Sequence, residues 1–386
     1  MGEACKTVVI AAVPFSDNLG DGLIALNLDS MLRRMGVDNV RLCDISYRRA
    51  IPFNKSKGSG LFEIYLAAPH PVRQAMVMAI FGMKYLLGGR AHLRRTLGGA
   101  DRVLVGGGQL LSDVDANFPF KLWLLTIEAE RSGVPIYITS VGVASRWSWL
   151  GRRLIRKVLR SPALEAISVR DEVSRANLTV LDPTLDPVIL PDPALMSAEL
   201  VKLRRKNQAQ PVQFALGVAS IKTLNHSSDL ANADAGNSLD DLALTVRLAT
   251  EAGYEVRLFT NGAAEDEAFL HGQLAPDLTR RGLKFSVEPR FSQPSDLADF
   301  IAGATFLVAY RLHANITASA LGVRSLAVAW DGKVRAFFNL MGRPEDVFDD
   351  LATLNVKLPQ QLADGLAPER PNINELELLY ARFLKL

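Results

Sequence analysis

Between residues 304 and 329 the chain leaves itself little choice of fold. Two apolar runs, 304–309 and 324–329, flank a stretch of small residues with helical spacing, 314–321, closed by Gly322. Short apolar runs read as buried strands, and a glycine just past a helical pattern is a natural C-cap. A strand, a helix and a strand joined this tightly predict a parallel pair. In a parallel pair both strands end on the same edge of the sheet. His313 follows the first run and Lys333 the second, so both are expected at one edge, beside a helix N-terminus that favours anions. An imidazole, two cations (Arg311 and Lys333) and a helix dipole at one crevice make a binding site for an anionic substrate.

The same alternation runs along the chain. Residues 7–13, 40–45, 103–105, 135–140 and 166–169 read as strands with helical segments between them, 23–34 among these, and 16–21 as a turn-rich loop. A second series follows at 213–218, 255–260, 284–287, 304–309 and 324–329. Strand alternating with helix is the pattern of an open α/β domain, and the length suits two of them. The most polar connection is 203–211, which is where the boundary is expected. The predicted organisation is an N-terminal Rossmann-like domain over 1–203, on the acceptor side and carrying Arg170, and a C-terminal one over 212–370, carrying the donor edge. A helix in 371–386 would pack back on the first domain. The polar segment 225–237 reads as a mobile loop.

Composition narrows the function. Lysine and arginine exceed aspartate and glutamate by 44 − 41 = 3, too little to imply a nucleic-acid partner. Cys5 and Cys43 are too few for a disulfide framework and read as ordinary buried thiols. No leader pattern precedes the first strand and no long uncharged apolar run is present, so a cytoplasmic protein without a membrane span is expected. No zinc-ligand spacing, HExxH or GxSxG occurs, so neither a metal nor serine chemistry is expected.

Candidate residues each have a plain alternative. His313 can trade a proton near neutral pH, or merely cap a strand end. His70, His92, His226 and His271 lie in loops or polar helices and read as structural. Arg170 ends a strand, where a guanidinium fork suits a carboxylate or phosphate; its alternative is an ion pair with Asp171 or Glu172. Arg311 shares an extended face with His313, or orients a loop. Gly106, Gly107 and Gly108 let backbone N–H groups approach a ligand, or let a helix pack tightly on a strand. Asn18 and Asp21 follow the first strand; Asp21 binds sugar hydroxyls, acts as a base, or caps a helix. Asn261 with Gly262 touches a ligand or simply turns the chain.

These residues also carry a resemblance. Arg311-Leu312-His313-Ala314, then Ala318, Leu321-Gly322-Val323, Asp331 and Lys333, resemble the C-terminal signature of the polysaccharide pyruvyl transferases. Asn18-Leu19-Gly20-Asp21, Gly106-Gly107-Gly108, Ser168-Val169-Arg170-Asp171-Glu172 and Pro191-Asp192-Pro193-Ala194 match in order before it, over nearly the whole chain. The resemblance implies two Rossmann-like domains facing across a cleft, a GT-B-like arrangement. It implies an enzyme that moves the pyruvyl unit of phosphoenolpyruvate onto two hydroxyls of a sugar, in a surface polysaccharide or its lipid-linked precursor. The product is a cyclic ketal and phosphate, with phosphoenolpyruvate as co-substrate and no cofactor. It makes Arg170 a substrate-binding residue. On this reading His313 is the general acid–base, Arg170 and Lys333 hold the donor's anionic groups, and Arg311 is auxiliary. Two other readings compete: a nucleotide-sugar glycosyltransferase of the same architecture, and a non-catalytic sugar-binding subunit of a polysaccharide assembly complex.

Residues 146–160 interleave tryptophan and leucine with arginine and lysine, and 75–87 are apolar with one lysine. Either the first is a helix with a solvated basic face, or it docks peripherally on an anionic membrane that presents a lipid-linked acceptor.

Overall fold

The structure, a computed structural model, describes residues 6–52, 65, 67–201, 212–220, 238–364 and 367–386. Cys5, His226, the expected loop at 225–237 and the expected boundary segment at 203–211 lie outside them. The chain divides into two compact units: Met1–Ser16, Ile24–Pro193 and Ile373–Leu386 form the first, Asp17–Leu23 and Ala194–Asn372 the second. The division thus falls at Pro193, ahead of the polar segment, and a short piece near the N-terminus is counted with the second unit.

In the first unit β1 (Thr7–Ala12), β2 (Asn39–Asp44), β3 (Arg102–Gly106), β4 (Ile136–Val141), β5 (Leu164–Val169) and β6 (Val188–Ile189) form one sheet. Its order is β2-β1-β3-β4-β5-β6 and every pair is parallel. β1 and β4 are buried at every position, as strands covered on both faces must be. The helices are α1 (Leu19–Arg34, whose first residues to Leu23 are counted with the second unit), α2 (His70–Lys84), α3 (Arg90–Leu97), α4 (Asn117–Ser132), α5 (Trp149–Leu159) and α6 (Glu172–Leu181), with a π-helical turn Tyr85–Gly89 joining α2 to α3. Val9, Ala11, Val103 and Val105 on one sheet face share a core with Leu122, Leu125, Leu154 and Ile155 of α4 and α5. β2 and β3 flank β1 on opposite sides, so the strand order reverses beside β1.

In the second unit β7 (Gln213–Gly217), β8 (Glu255–Phe259), β9 (Ser286–Val287), β10 (Phe306–Ala309), β11 (Arg324–Val328) and β12 (Val347–Phe348) run β12-β11-β10-β7-β8-β9, again all parallel. Its helices are α7 (Leu239–Glu251), α8 (Ala264–Phe269), α9 (Ala275–Arg280), α10 (Pro294–Gly303), α11 (Leu312–Leu321), α12 (Gly332–Leu340) and α13 (Leu351–Asp364). Phe214 of β7 stacks on Phe306 of β10 with centroids 5.7 Å apart. α11 is buried along its whole length, which explains its run of alanine, serine and threonine: only small side chains let a helix sit this deep. The order reverses between β10 and β7, and in open α/β sheets such reversals open a crevice at the strand C-termini.

The last helix, α14 (Ile373–Leu384), belongs to the first unit. Buried Tyr380 anchors it, with its hydroxyl 2.5 Å from Ser140 Oγ and donating to Pro191 O at 2.7 Å. Three elements depart from the sequence pattern. β6 and β12 are two-residue strands, too short to show any alternation. α1 starts at Leu19, inside the stretch that reads as a loop, because Asn18 ends the turn and starts the helix.

Candidate active site

β10 ends at Ala309 and α11 begins at Leu312, with Arg311 as its N-cap in an extended conformation. Asn315 pins this turn from within: its Nδ2 donates to Ala309 O at 3.1 Å and Arg311 O at 3.2 Å. The Arg311 guanidinium forks onto Asp266, with Nε donating to Oδ2 at 2.8 Å and Nη2 to Oδ1 at 2.9 Å. Asp266 also accepts from Ser220 N at 2.8 Å. Burial pushes the Asp266 carboxyl above its ordinary range, against the pull of Arg311. The pair therefore ties the C-terminal ends of β7, β8 and β10 together. Arg311 does not share a face with His313. The helix starts between them, so a two-residue step turns the side chains well apart rather than aligning them as in a strand.

His313 lies in the first turn of α11 and is buried. Its imidazole rests on Gly20: a Cβ there would sit 2.4 Å from His313 Nδ1 and 2.5 Å from Cγ. Only glycine leaves room for the ring. Gly20 is itself placed by the end of β8. Leu19 N donates to Asn261 O at 2.8 Å, and Gly262, at φ +93°, approaches Asp17 O so closely that a Cβ would lie 2.6 Å from it. Asn18 Oδ1 accepts from Gly20 N at 3.4 Å and its carbonyl from Asp21 N at 3.1 Å. Asn18, not Asp21, thus stands at the start of α1, and Asp21 lies half-buried in the first turn. Asn261 is buried and bonds the loop through its backbone.

β11 leads to Trp330, Asp331 and α12. Asp331 caps the helix, accepting from Lys333 N at 3.0 Å, and its other oxygen is 2.9 Å from Lys333 Nζ. Trp330 Nε1 donates to Tyr310 O at 2.7 Å, which joins the two loops. Lys333 Nζ lies 4.5 Å and the Arg311 guanidinium carbon 5.8 Å from the Trp330 ring centroid. β10 and β11 are hydrogen-bonded neighbours, so His313 and Lys333 occupy the first turns of two helices that start at one sheet edge. Peptide N–H groups and helix dipoles there favour an anion, and the imidazole beside them can give or take a proton.

The remaining candidates lie in the first unit. Arg170 follows β5 and is buried; its Nε is 3.2 Å from Asp171 Oδ2, while Asp171 Oδ1 caps α6 by accepting from Ser174 N at 2.7 Å. The guanidinium lies flat against Gly142, where a Cβ would meet Nη2 at 2.7 Å. Gly106 and Gly107 face α1: a Cβ on Gly106 would meet Leu28 at 2.5 Å, and one on Gly107, at φ +70°, would overlap Ile24 at 1.9 Å. Gly107 N donates to Thr139 O and Gly108 O accepts from Gly142 N, so these groups are already engaged in the fold. For Gly106 and Gly107 the packing explanation accounts for the glycine.

Asp266, Trp330, Asn315 and Gly142 escape sequence reasoning. Nothing in the spacing separates Asp266 from its neighbours Glu265 and Glu267, and Trp330 reads as the end of an apolar run. Two of the other histidines have partners of their own: His70 Nε2 lies 3.4 Å from Asp115 and His271 Nε2 3.5 Å from Glu267. Burial is the first cause pulling the His92 imidazole down, with Arg95 and Arg49 adding to it. Cys43 is a buried thiol that burial pushes up to about 12.

Comparison with known proteins adds two findings. The UDP-GlcNAc 2-epimerase of Methanocaldococcus jannaschii is 12% identical, with a TM-score of 0.52 over 98% of this chain and 99% of that one. A UDP-forming α,α-trehalose-phosphate synthase from Burkholderia xenovorans is also 12% identical, with a TM-score of 0.55 over 99% of each chain. Likeness at this identity shows the fold alone: two Rossmann-like domains of the GT-B-like class. No curated protein matches the chain. A family model described as polysaccharide pyruvyl transferase matches residues 18–332, a span that takes in the Asn18–Asp21 turn, Arg170 and His313. The chain belongs to the polysaccharide pyruvyl transferase family.

Proposed function

We propose that this protein transfers the pyruvyl unit of phosphoenolpyruvate onto two hydroxyls of one sugar in a polysaccharide or its precursor. The observation that carries this reading is the placement of His313 and Lys333 in adjacent helix first turns on one sheet edge. Family membership supports pyruvyl transfer to a polysaccharide sugar, and phosphoenolpyruvate is the donor this reading assigns.

The chemistry requires the methylene carbon of phosphoenolpyruvate to gain a proton, which leaves an oxocarbenium-like centre at the next carbon. One sugar hydroxyl adds there and gives up its proton. The bond to phosphate then breaks and the second hydroxyl closes the ring. Of the two hydroxyl protons, one balances the proton that made the methyl group and the other leaves with phosphate. His313 is the group assigned to donate and recover the proton. Lys333 is assigned to the donor's negative charge, with helix N–H groups beside it. Arg170 is assigned to substrate on the family resemblance. Arg311, locked to Asp266, is assigned to holding the turn that presents His313.

Phosphate release from phosphoenolpyruvate, measured with a panel of glycan acceptors, tests the reading. Release that depends on an acceptor, together with a ketal methyl signal in the product, supports it. Transfer from a UDP-sugar with no use of phosphoenolpyruvate would install glycosyl transfer instead. Phosphoenolpyruvate binding with no release for any acceptor would favour a binding subunit.

A further inference from the structure

One helical face of the first unit has no role in the transfer chemistry. Along α2 and the π-helical turn after it, Val72, Ile80, Met83, Leu86 and Leu87 recur at helical spacing, and their exposure rises along the stripe from 47% at Val72 to 81% at Leu87. The opposite face holds Val77 and Tyr85, which are buried, and Phe81, which packs on the core. The helix thus has its expected inward face and a second apolar face turned to solvent. A contiguous apolar face of this kind marks an interaction surface rather than chance exposure.

Two further observations say what covers it. Gln74 Nε2 donates to Ser148 Oγ at 2.7 Å, which joins α2 to the N-cap of α5. The next residue, Trp149, is 73% exposed. The two segments themselves carry charge of one sign: neither 70–98 nor 144–160 contains an aspartate or glutamate, and the acids that neighbouring elements bring to them, Asp113, Asp115 and Glu128, are engaged with Ser148, with His70 and Arg73, and with Arg90 and Arg94. Lys84, Arg153 and Lys157 are exposed and each lies along an aromatic ring, at 5.0 Å from Phe81, 5.4 Å from Trp149 and 5.0 Å from Trp123. Long cationic side chains laid along apolar surface, with their heads in water, suit the boundary between acyl chains and headgroups. A second copy of the chain pairing on this face would set like charges together. Among the described residues no helix is long and apolar enough to cross a bilayer.

We propose that α2, its π-helical turn and the start of α5 dock this protein on an anionic membrane surface, with Leu86, Leu87 and Trp149 entering the headgroup boundary and Lys84, Arg153 and Lys157 meeting lipid phosphates. The proposal is independent of the transfer chemistry, since it makes no use of His313, Lys333 or Arg170.

Co-sedimentation of the purified chain with vesicles tests it, using phosphatidylcholine mixed with phosphatidylglycerol and phosphatidylcholine alone. The wild type should sediment with the anionic vesicles, far less with the neutral ones, and less as salt rises. Leu86→Gln/Leu87→Gln should weaken that binding by about tenfold or more while leaving the thermal transition unchanged, because both side chains are already in water. Arg153→Gln/Lys157→Gln should remove the preference for anionic lipid. No binding by the wild type, or wild-type binding by the leucine double variant, would overturn the proposal. A dimer that the leucine substitutions dissociate, without vesicle binding, would reassign the face to self-association.

Discussion

The contact between Gly20 and His313 turns a motif into a mechanism. In sequence, Asn18-Leu19-Gly20-Asp21 looks like a turn that offers polar side chains to a ligand. In the structure its glycine is the floor beneath the imidazole. Gly20→Ala should therefore displace His313 and cost on the order of 10²-fold in turnover, the scale of a misplacement near 1 Å, while the chain still folds. Phosphate-release kinetics beside a melting curve check it; unchanged turnover would mean that the imbedded ring is not the proton carrier. His313→Ala should cost on the order of 10²–10⁴ in turnover. Lys333→Ala and Arg170→Ala should chiefly raise the KM for phosphoenolpyruvate. An unaltered KM in either would remove that residue from the donor's surroundings.

At the scale of elements, three contacts separate structural residues from chemical ones. Asp266 has no exposed side-chain surface and Arg311 little, so breaking their pair strands a buried charge. Arg311→Leu should destabilise by about 3 kcal/mol, measurable by urea unfolding, and Asp266→Leu added to it should recover part of the loss. Full additivity of the two single effects would deny the pairing. Gly107→Ala would force a methyl into Ile24 at a left-handed φ, so it should lower the melting temperature and leave the donor KM as it was. Lys121 of α4 is buried, donates to Ser46 Oγ at 2.8 Å and faces the Phe81 ring at 4.0 Å. Burial first, then Arg48, pulls its ammonium down to about 7. Between that value and the usual lysine range the unfolded chain binds the extra proton, so stability rises with pH there. Lys121→Met should accordingly stabilise most below pH 7, with the gain shrinking towards alkaline pH in parallel unfolding curves.

For the whole molecule, what the sequence revealed and what it hid follow one rule. Long apolar runs and short crossovers report on backbone pairing, so both parallel sheets were legible from the strand runs along the chain, and the shared edge of His313 and Lys333 from residues 304–333. β6 and β12, two residues each, were not. Nor was the start of α1, because Asn18 and Asp21 are both good caps and only the fold chooses between them. The partnerships of Arg311 with Asp266 and of His313 with Gly20 join residues 45 and roughly 300 positions apart, and no local pattern encodes such contacts. The polar segment at 203–211, where the boundary was expected, lies outside the described residues, and the division by packing falls at Pro193.

A thermal-shift titration asks whether phosphoenolpyruvate binds beside Lys333. Wild type and Lys333→Ala are each titrated with phosphoenolpyruvate, with UDP-glucose and UDP-N-acetylglucosamine as controls. A ligand selective for the folded state adds about 2.7 kcal/mol of stability at a hundredfold excess over Kd. Phosphoenolpyruvate should give a shift that is absent with the UDP-sugars and collapses in Lys333→Ala. A shift with a UDP-sugar alone, or a phosphoenolpyruvate shift equal in both proteins, would contradict it.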